Sequence, residues 1–500
     1  MRRLVLFLFV FTIINSCSED DSEVIIDDSI IESNCGGTFE GDVLLTSQEE
    51  VDAFGALCYA KIEGSLEIEG SDIVDLTSLN FLNHVSENVR IEFNEALTTL
   101  SGLGALTTVG GDCYISRNTL LVSLEELNHL ESVGGRLYIG FTPLLTTFTG
   151  LENLESIGGL GIVQNESLES LSAFVNISSL SSIFISDNDS LVSLEGLENI
   201  ETILYDLVIK GNTSLNNIAH LENLVSIQGD IRIYANGSLN SLNGLENVSS
   251  FSGNISIYEN YALNNIQGLQ SISGEVNRLE IYQNGNLETL NGLENITTVN
   301  ENLRIDVNSN LNSITALANL NYVGAISISN NYSLTSLNGL ENINTVHGDL
   351  NISVNSDLDS ISALVNITLI GGSLNIYNNS SLTSLNGLES LTRVEGGVFI
   401  GGNNNFTSLN GLDNIQVILG DLEIFGHNTL TSLDGLESLE SVNNVFIGIN
   451  VNNTYYGNLN LSNFCALTNL FNTGNYNDVN IANNAYNPTV QDILDGNCSQ

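Results

Sequence analysis

Tyr234, Tyr258 and Tyr282 stand 24 residues apart, and each directly follows an isoleucine. Lys210 holds the same place after Ile209, Arg232 and Arg304 directly precede Ile233 and Ile305, and Arg278 lies three residues before Ile281. If the isoleucines point inward along short strands, their neighbours point outward. The rings then form an outward column with cations at its margins. Aromatic faces beside cations suit a sugar or an acidic protein segment. The 500-residue chain has 11 Lys and Arg against 59 Asp and Glu. Nine of the 11 remain once Arg2 and Arg3 are set aside, and four of these fall between residues 210 and 304. Lys210, Arg232, Tyr234, Tyr258, Tyr282 and Arg304 are therefore the candidate ligand-binding residues. The same columns have a purely structural reading, in which stacked tyrosines stabilise parallel strands and the arginines offset Glu259, Glu280 and Asp306.

The other chemistry-bearing residues point away from catalysis. His84, His129, His220, His347 and His427 are scattered, and none is paired at metal-ligand spacing. A polysaccharide-degrading β-helix enzyme would need a basic residue near clustered carboxylates, and the only lysines are Lys61 and Lys210. Glu389, Asp413 and Glu437 fall on consecutive repeats; they could hold Ca2+, but a solvated acidic edge is the simpler reading. The expectation is no enzyme, no cofactor and no metal. A formal net charge of −48 disfavours nucleic acid, because phosphate binding needs clustered cations. With 42% apolar residues the chain has material for a large core and is no disordered acidic tail.

The element that must position these residues is a repeat. Seventeen isoleucines, from Ile68, Ile91 and Ile115 onward to Ile447, follow one another at intervals of 23 or 24. Leu350-Asn351-Ile352 alternates as a short strand, and Leu334, Leu337, Leu340 and Val346 add apolar anchors. So short a unit cannot bury its own apolar face, whereas stacked copies can. The expected fold is all-β: a parallel right-handed β-helix, a leucine-rich-repeat-like solenoid of about 17 turns with 23–24-residue repeats and capped ends. Three residues after the isoleucines, 14 of 17 turns carry Asn; Ser71, Thr142 and His427 are the exceptions. This column reads as a structural ladder bonding neighbouring backbone. A two-turn period overlies the repeat: Leu242, Ile266, Leu290 and Ile314 alternate, as do Glu246, Gln270, Glu294 and Ala318. That alternation would keep carboxylates from stacking.

The ends define compartment and boundaries. Arg2 and Arg3 precede an apolar run, Leu4 to Ile14, as in a secretion signal. Ile14-Asn15-Ser16-Cys17 resembles a bacterial lipobox, which implies lipidation at Cys17. Ser18-Glu19-Asp20-Asp21 resembles the surface-export signal of Bacteroidetes lipoproteins. The implied location is the outer membrane, lipid-anchored and facing outward at the cell surface, or secretion if the lipobox is unused. The segments are then a signal peptide (1–16), an acidic tether (17–34), an N-terminal cap with a short helix opened by Ser47 (35–64), the β-helix (65–455) and a C-terminal cap (456–500). Cys35 and Cys58 bracket one end and Cys465 and Cys498 the other, which suggests a disulfide staple on each cap. Cys113 takes a core position, two residues before Ile115, and reads as a buried thiol.

Glu50-Val51-Asp52-Ala53-Phe54-Gly55, Gly64-Ser65-Leu66-Glu67-Ile68 and the repeat Ser336-Leu337-Asn338-Gly339-Leu340-Glu341-Asn342-Ile343 resemble receptor L-domain proteins. The resemblance covers about residues 35 to 460. It implies a β-helical body that helps bind protein ligands. Receptor signalling does not carry over, since the chain shows no kinase segment. The functions in contention are a surface binding protein or adhesin for a protein or glycan, a structural spacer or coat, and a polysaccharide-degrading enzyme.

Overall fold

The computed structural model describes residues 35–449 and 457–500. The signal segment, the Cys17 lipobox and the acidic tether lie outside the described residues. The chain divides into two compact units. One runs to Ser190 and includes Glu195–Asn199; the other comprises Leu191–Leu194 and the chain from Ile200 onward.

Both units are all-β solenoids of parallel strands. In the first, six strands from Leu66–Ile68 to Ile183–Ser186 are each centred on one of the repeating isoleucines. Equal repeat positions pair, for example Ile68 with Ile91 and Ile91 with Ile115. In the second, eleven strands do the same, from Leu207–Lys210 to Val445–Ile447. The expected rungs are therefore all present. Leu334, Leu337, Leu340, Val346, Leu350 and Ile352 of one turn are each 0% exposed, so the core is built by stacking identical positions. Further ladders tie the turns together: Thr345–Val346 pairs with Leu369–Ile370, and Ser336 bridges Ser360.

The two-turn period has a cause that the alternation of charge alone does not supply. Turns of one kind make a 3-10 turn, as at Gln267–Leu269 and Thr315–Leu317. Turns of the other kind bend at a glycine, Gly244, Gly292 or Gly339, with φ of 116°, 114° and 115°. A Cβ at Gly339 would lie 2.5 Å from the Ile314 carbonyl oxygen, so glycine is required there. The N–H of that buried glycine is capped by the carboxylate two residues on: Gly244 donates to Glu246 (2.6 Å), Gly292 to Glu294 (2.8 Å) and Gly339 to Glu341 (2.8 Å). The alternating glutamates are thus backbone caps. Glu389, Asp413 and Glu437 accept in the same way from Gly387, Gly411 and Gly435, each at 2.8 Å.

The asparagine column is the second internal device. Asn236, Asn260 and Asn284 are 0% exposed. Asn260 Nδ2 donates to Ile233 O of the preceding turn (2.8 Å) and to Tyr258 O of its own (3.1 Å), while its Oδ1 accepts from the Asn236 N–H (3.2 Å). The strained backbone sits one residue earlier than the asparagine. Phe93, Arg117, Glu259, Val307 and Asn378, all two residues after the isoleucine, have φ between 54° and 59°. A non-glycine residue in this left-handed region costs about 1–2 kcal/mol. The buried amide bonds hold it there.

The ladder extends beyond both ends read from the sequence. Val43–Leu45 pairs with Leu66–Ile68, and Val479–Ile481 pairs with Val445–Ile447. The second step spans 34 residues, so the repeat ruler loses it. Its asparagine is displaced as well: the His427 N–H donates to Asn458 Oδ1 (3.1 Å), and Asn458 Nδ2 reaches Asn484 Oδ1 (2.9 Å). Helix α1, Gln48–Gly55, starts where Ser47 accepts from the Glu50 N–H (3.3 Å) and is C-capped by Ala56. The C-terminal segment holds α2, Thr468–Thr473, and α3, Val490–Leu494, the latter closed by a reciprocal Thr489–Asp492 capping box. The disulfides are Cys35–Cys58 and Cys465–Cys498.

Candidate ligand-binding faces

The tyrosine column forms as the repeat dictates. Lys210, Tyr234, Tyr258 and Tyr282 occupy equal places on neighbouring strands, followed by Asp306. The rings stack face to face, with centroids 4.4 Å apart at both steps and interplanar angles of 11° and 6°. Lys210 Nζ lies 5.9 Å from the Tyr234 centroid and Arg304 Cζ 4.1 Å from that of Tyr282, so each end of the stack is covered by a cation. Burial, then the neighbouring Tyr234 and Tyr282, holds the Tyr258 hydroxyl above the usual phenol range. The tyrosines are half-buried, and their outward parts are ring edges and hydroxyls. The cations around the column are engaged too. Arg232 pairs with Asp206 (3.2 Å) and Asp230, Arg278 with Glu301 (2.5 Å), and Arg304 with Asp306 (2.7 Å).

A second aromatic and cationic face lies in the first unit, and the sequence reading passed over it. Three consecutive strands, Val89–Glu92, Cys113–Ser116 and Ser132–Gly140, carry it. One outward column is Arg90, Tyr114 and Tyr138, with Arg90 Cζ 4.5 Å from the Tyr114 centroid and the two rings 5.5 Å apart. The strained corner column is Phe93, Arg117 and Phe141. Arg117 Cζ lies 4.9 Å from the Phe93 centroid and 4.7 Å from that of Phe141, a guanidinium held between two rings. Arg136 lies midway along the third strand, and its backbone N–H donates to Asp112 Oδ1 (2.7 Å). The shelf beyond Tyr138 is glycine: a Cβ on Gly140 or Gly161 would come within 2.8 Å of the Tyr138 ring.

Charge pairing separates the two faces. Arg90 has Glu92 at 3.4 Å. Arg117 and Arg136 are exposed, and neither forms an ion pair with a described carboxylate. Phe93 is 49% exposed. Burial raises the hydroxyls of Tyr114 and Tyr138, while Arg136 acts on both in the opposite direction, Arg90 on Tyr114 and Arg117 on Tyr138. Of the three arginines, Arg136 alone bears on both rings. A preformed patch of this kind can take a carboxylate bidentately and pack its apolar stem on phenylalanine.

The remaining candidates are structural. Cys113 is 2% exposed and burial pushes its thiol up to about 12, so it acts as a core side chain. His427 fills an asparagine position, with Nδ1 2.9 Å from Asn403 O and Nε2 3.2 Å from Ile400 O. His347 stacks on Tyr322 with centroids 4.5 Å apart, and His129 Nδ1 lies 2.8 Å from Gly104 O. Among the described residues no group of three or more His, Cys, Asp or Glu is placed to hold a metal ion. No described helix is long and apolar enough to cross a membrane.

No curated protein matches the chain. The Receptor L domain family model matches residues 342–407, inside the second unit, and together with the solenoid fold this supports the resemblance carried by the repeat.

Proposed function

We propose that the chain is a non-catalytic binding protein of the receptor L-domain type, exported and held at the cell surface through Cys17, that takes an acidic segment of a protein ligand on the first unit. The observation that carries this reading is the Phe93–Arg117–Phe141 sandwich, with Arg136 on the third of the same strands: two exposed arginines that form no ion pair with a described carboxylate, in a chain of net charge −48. Cations left unpaired amid so many carboxylates suit a partner that supplies the carboxylate. The Receptor L domain match supports a ligand-binding surface. A glycan bearing carboxylates is the alternative ligand, and a passive spacer the alternative function.

The test is binding of the purified chain to arrayed extracellular proteins and acidic glycans, with Arg117→Ala and Arg136→Ala alongside. Loss of one charged hydrogen-bonded contact should weaken binding about tenfold to a hundredfold. A ligand bound equally well by both variants would remove this face from the account. Turnover of a uronic-acid polymer by the purified chain would overturn the non-catalytic reading.

A further inference from the structure

The second unit carries an open groove of about 640 Å3, lined by Asn375, Tyr377, Asn378, Phe399, Gly402, Asn404, Phe425, Gly426 and Asn428. That volume falls within the range of small-molecule sites, about 300–1,000 Å3. The composition of its lining narrows the class of ligand. In a chain with 59 acidic residues, no charged side chain lines it. Glu423, next to Phe399 in the same column, is 4% exposed and does not line it. What lines the groove is three rings, four amides and glycine backbone.

The repeat explains how the groove arises. Tyr377, Gly401 and Phe425 occupy equal places on successive strands, so a glycine interrupts the aromatic column that is continuous at Tyr234, Tyr258 and Tyr282. Phe425 leans across that gap: a Cβ on Gly401 would come within 2.5 Å of its ring. The corner positions beside it are Asn378, Gly402 and Gly426, and the Asn378 amide lies over Gly402. Asn404 Oδ1 accepts from the Asn428 N–H at 3.3 Å. The side-chain amides of Asn375, Asn378 and Asn428 make no hydrogen bond to a described group. One strand before Asn375 in its column, Asn351 Oδ1 is buried without a hydrogen-bond partner.

We infer that this groove binds a neutral saccharide. Rings offer apolar surface to the C–H faces of a pyranose, and each amide offers a donor and an acceptor to neighbouring hydroxyls. An acidic peptide finds no cation here, and an apolar ligand would leave the amides unpaired. The site is separate from the arginine face of the first unit and differs from it in ligand charge.

Calorimetric titration of the purified chain with linear gluco-, manno- and galacto-oligosaccharides tests the assignment, with oligogalacturonate as the anionic counterpart. The expected result is binding of at least one neutral series with an affinity that salt does not change, since no charges are paired. Asn375→Ala with Asn428→Ala should weaken it about tenfold, and Phe399→Ala by a similar factor, with unchanged melting of the amide variants showing that the fold is kept. Binding of no neutral series, equal binding by the amide variants, or binding of the uronate alone would each overturn the inference.

Discussion

His427 shows how one residue can carry a condition on stability. It sits in the buried amide column, where burial lowers its pKa below the ordinary value, opposed by the carbonyl groups of Asn403 and Ile400. In the unfolded chain the imidazole protonates near about pH 6.5. In the folded chain it stays neutral to lower pH, so between the two values the unfolded chain binds the extra proton. The contribution of His427 is therefore fully present above about pH 6.5 and is lost as the pH falls through the folded value. His427→Asn puts an uncharged amide in the column and should remove that part of the acid sensitivity. Thermal unfolding of both proteins at neutral and mildly acidic pH checks it. The native protein should lose more stability than the variant, and equal losses would refute the role given to His427.

At the scale of the element, the corner of each turn couples strain to hydrogen bonding. Asn260→Ala would leave the Asn236 N–H and the Ile233 and Tyr258 carbonyl groups without their side-chain partner. The expected loss is about 3 kcal/mol. Glu259→Gly, one residue earlier, relieves a left-handed corner at φ 56° and should stabilise by about 0.5–1 kcal/mol. Long repeat arrays need not unfold in one step, so native-state hydrogen exchange of amides in the neighbouring turns is the suitable measurement. Exchange should quicken about a hundredfold in Asn260→Ala and slow in Glu259→Gly. Equal exchange in both would show that the column does not hold the corner.

Much of this element was legible because it is repeated: isoleucine, asparagine and glycine recur wherever the backbone leaves no choice. The left-handed corner was not legible. Its occupants, Phe93, Arg117, Val307 and Asn378 among them, share no chemistry, because the restraint on them comes from the asparagine that follows. Asn458 was missed for the opposite reason: it takes the ladder contact from eleven residues after Ile447, while Asn450, which stands at the expected interval, lies outside the described residues.

For the whole molecule the same distinction separates scaffold from ligand face. Residues identical at successive turns tend to satisfy one another, as the three stacked tyrosines and their capping cations do. Residues that depart from the repeat are left facing outward with chemistry unmet. Arg117 between Phe93 and Phe141 is such a departure, and so is the glycine that breaks the column between Tyr377 and Phe425. Reading the corner and strand columns turn by turn would have exposed the first of these. Searching for recurring side chains led to Tyr234 instead.

The central claim is that an acidic ligand docks on the arginine face of the first unit. Fluorine NMR of the fluorotyrosine-labelled chain, titrated with an oligoglutamate peptide, addresses it directly because tyrosines mark both candidate faces. The account predicts that the resonances of Tyr114 and Tyr138 shift with peptide, that the shifts collapse as salt is raised, and that Tyr234, Tyr258 and Tyr282 stay in place. Shifts at Tyr234, Tyr258 and Tyr282 with Tyr114 and Tyr138 unmoved would contradict it.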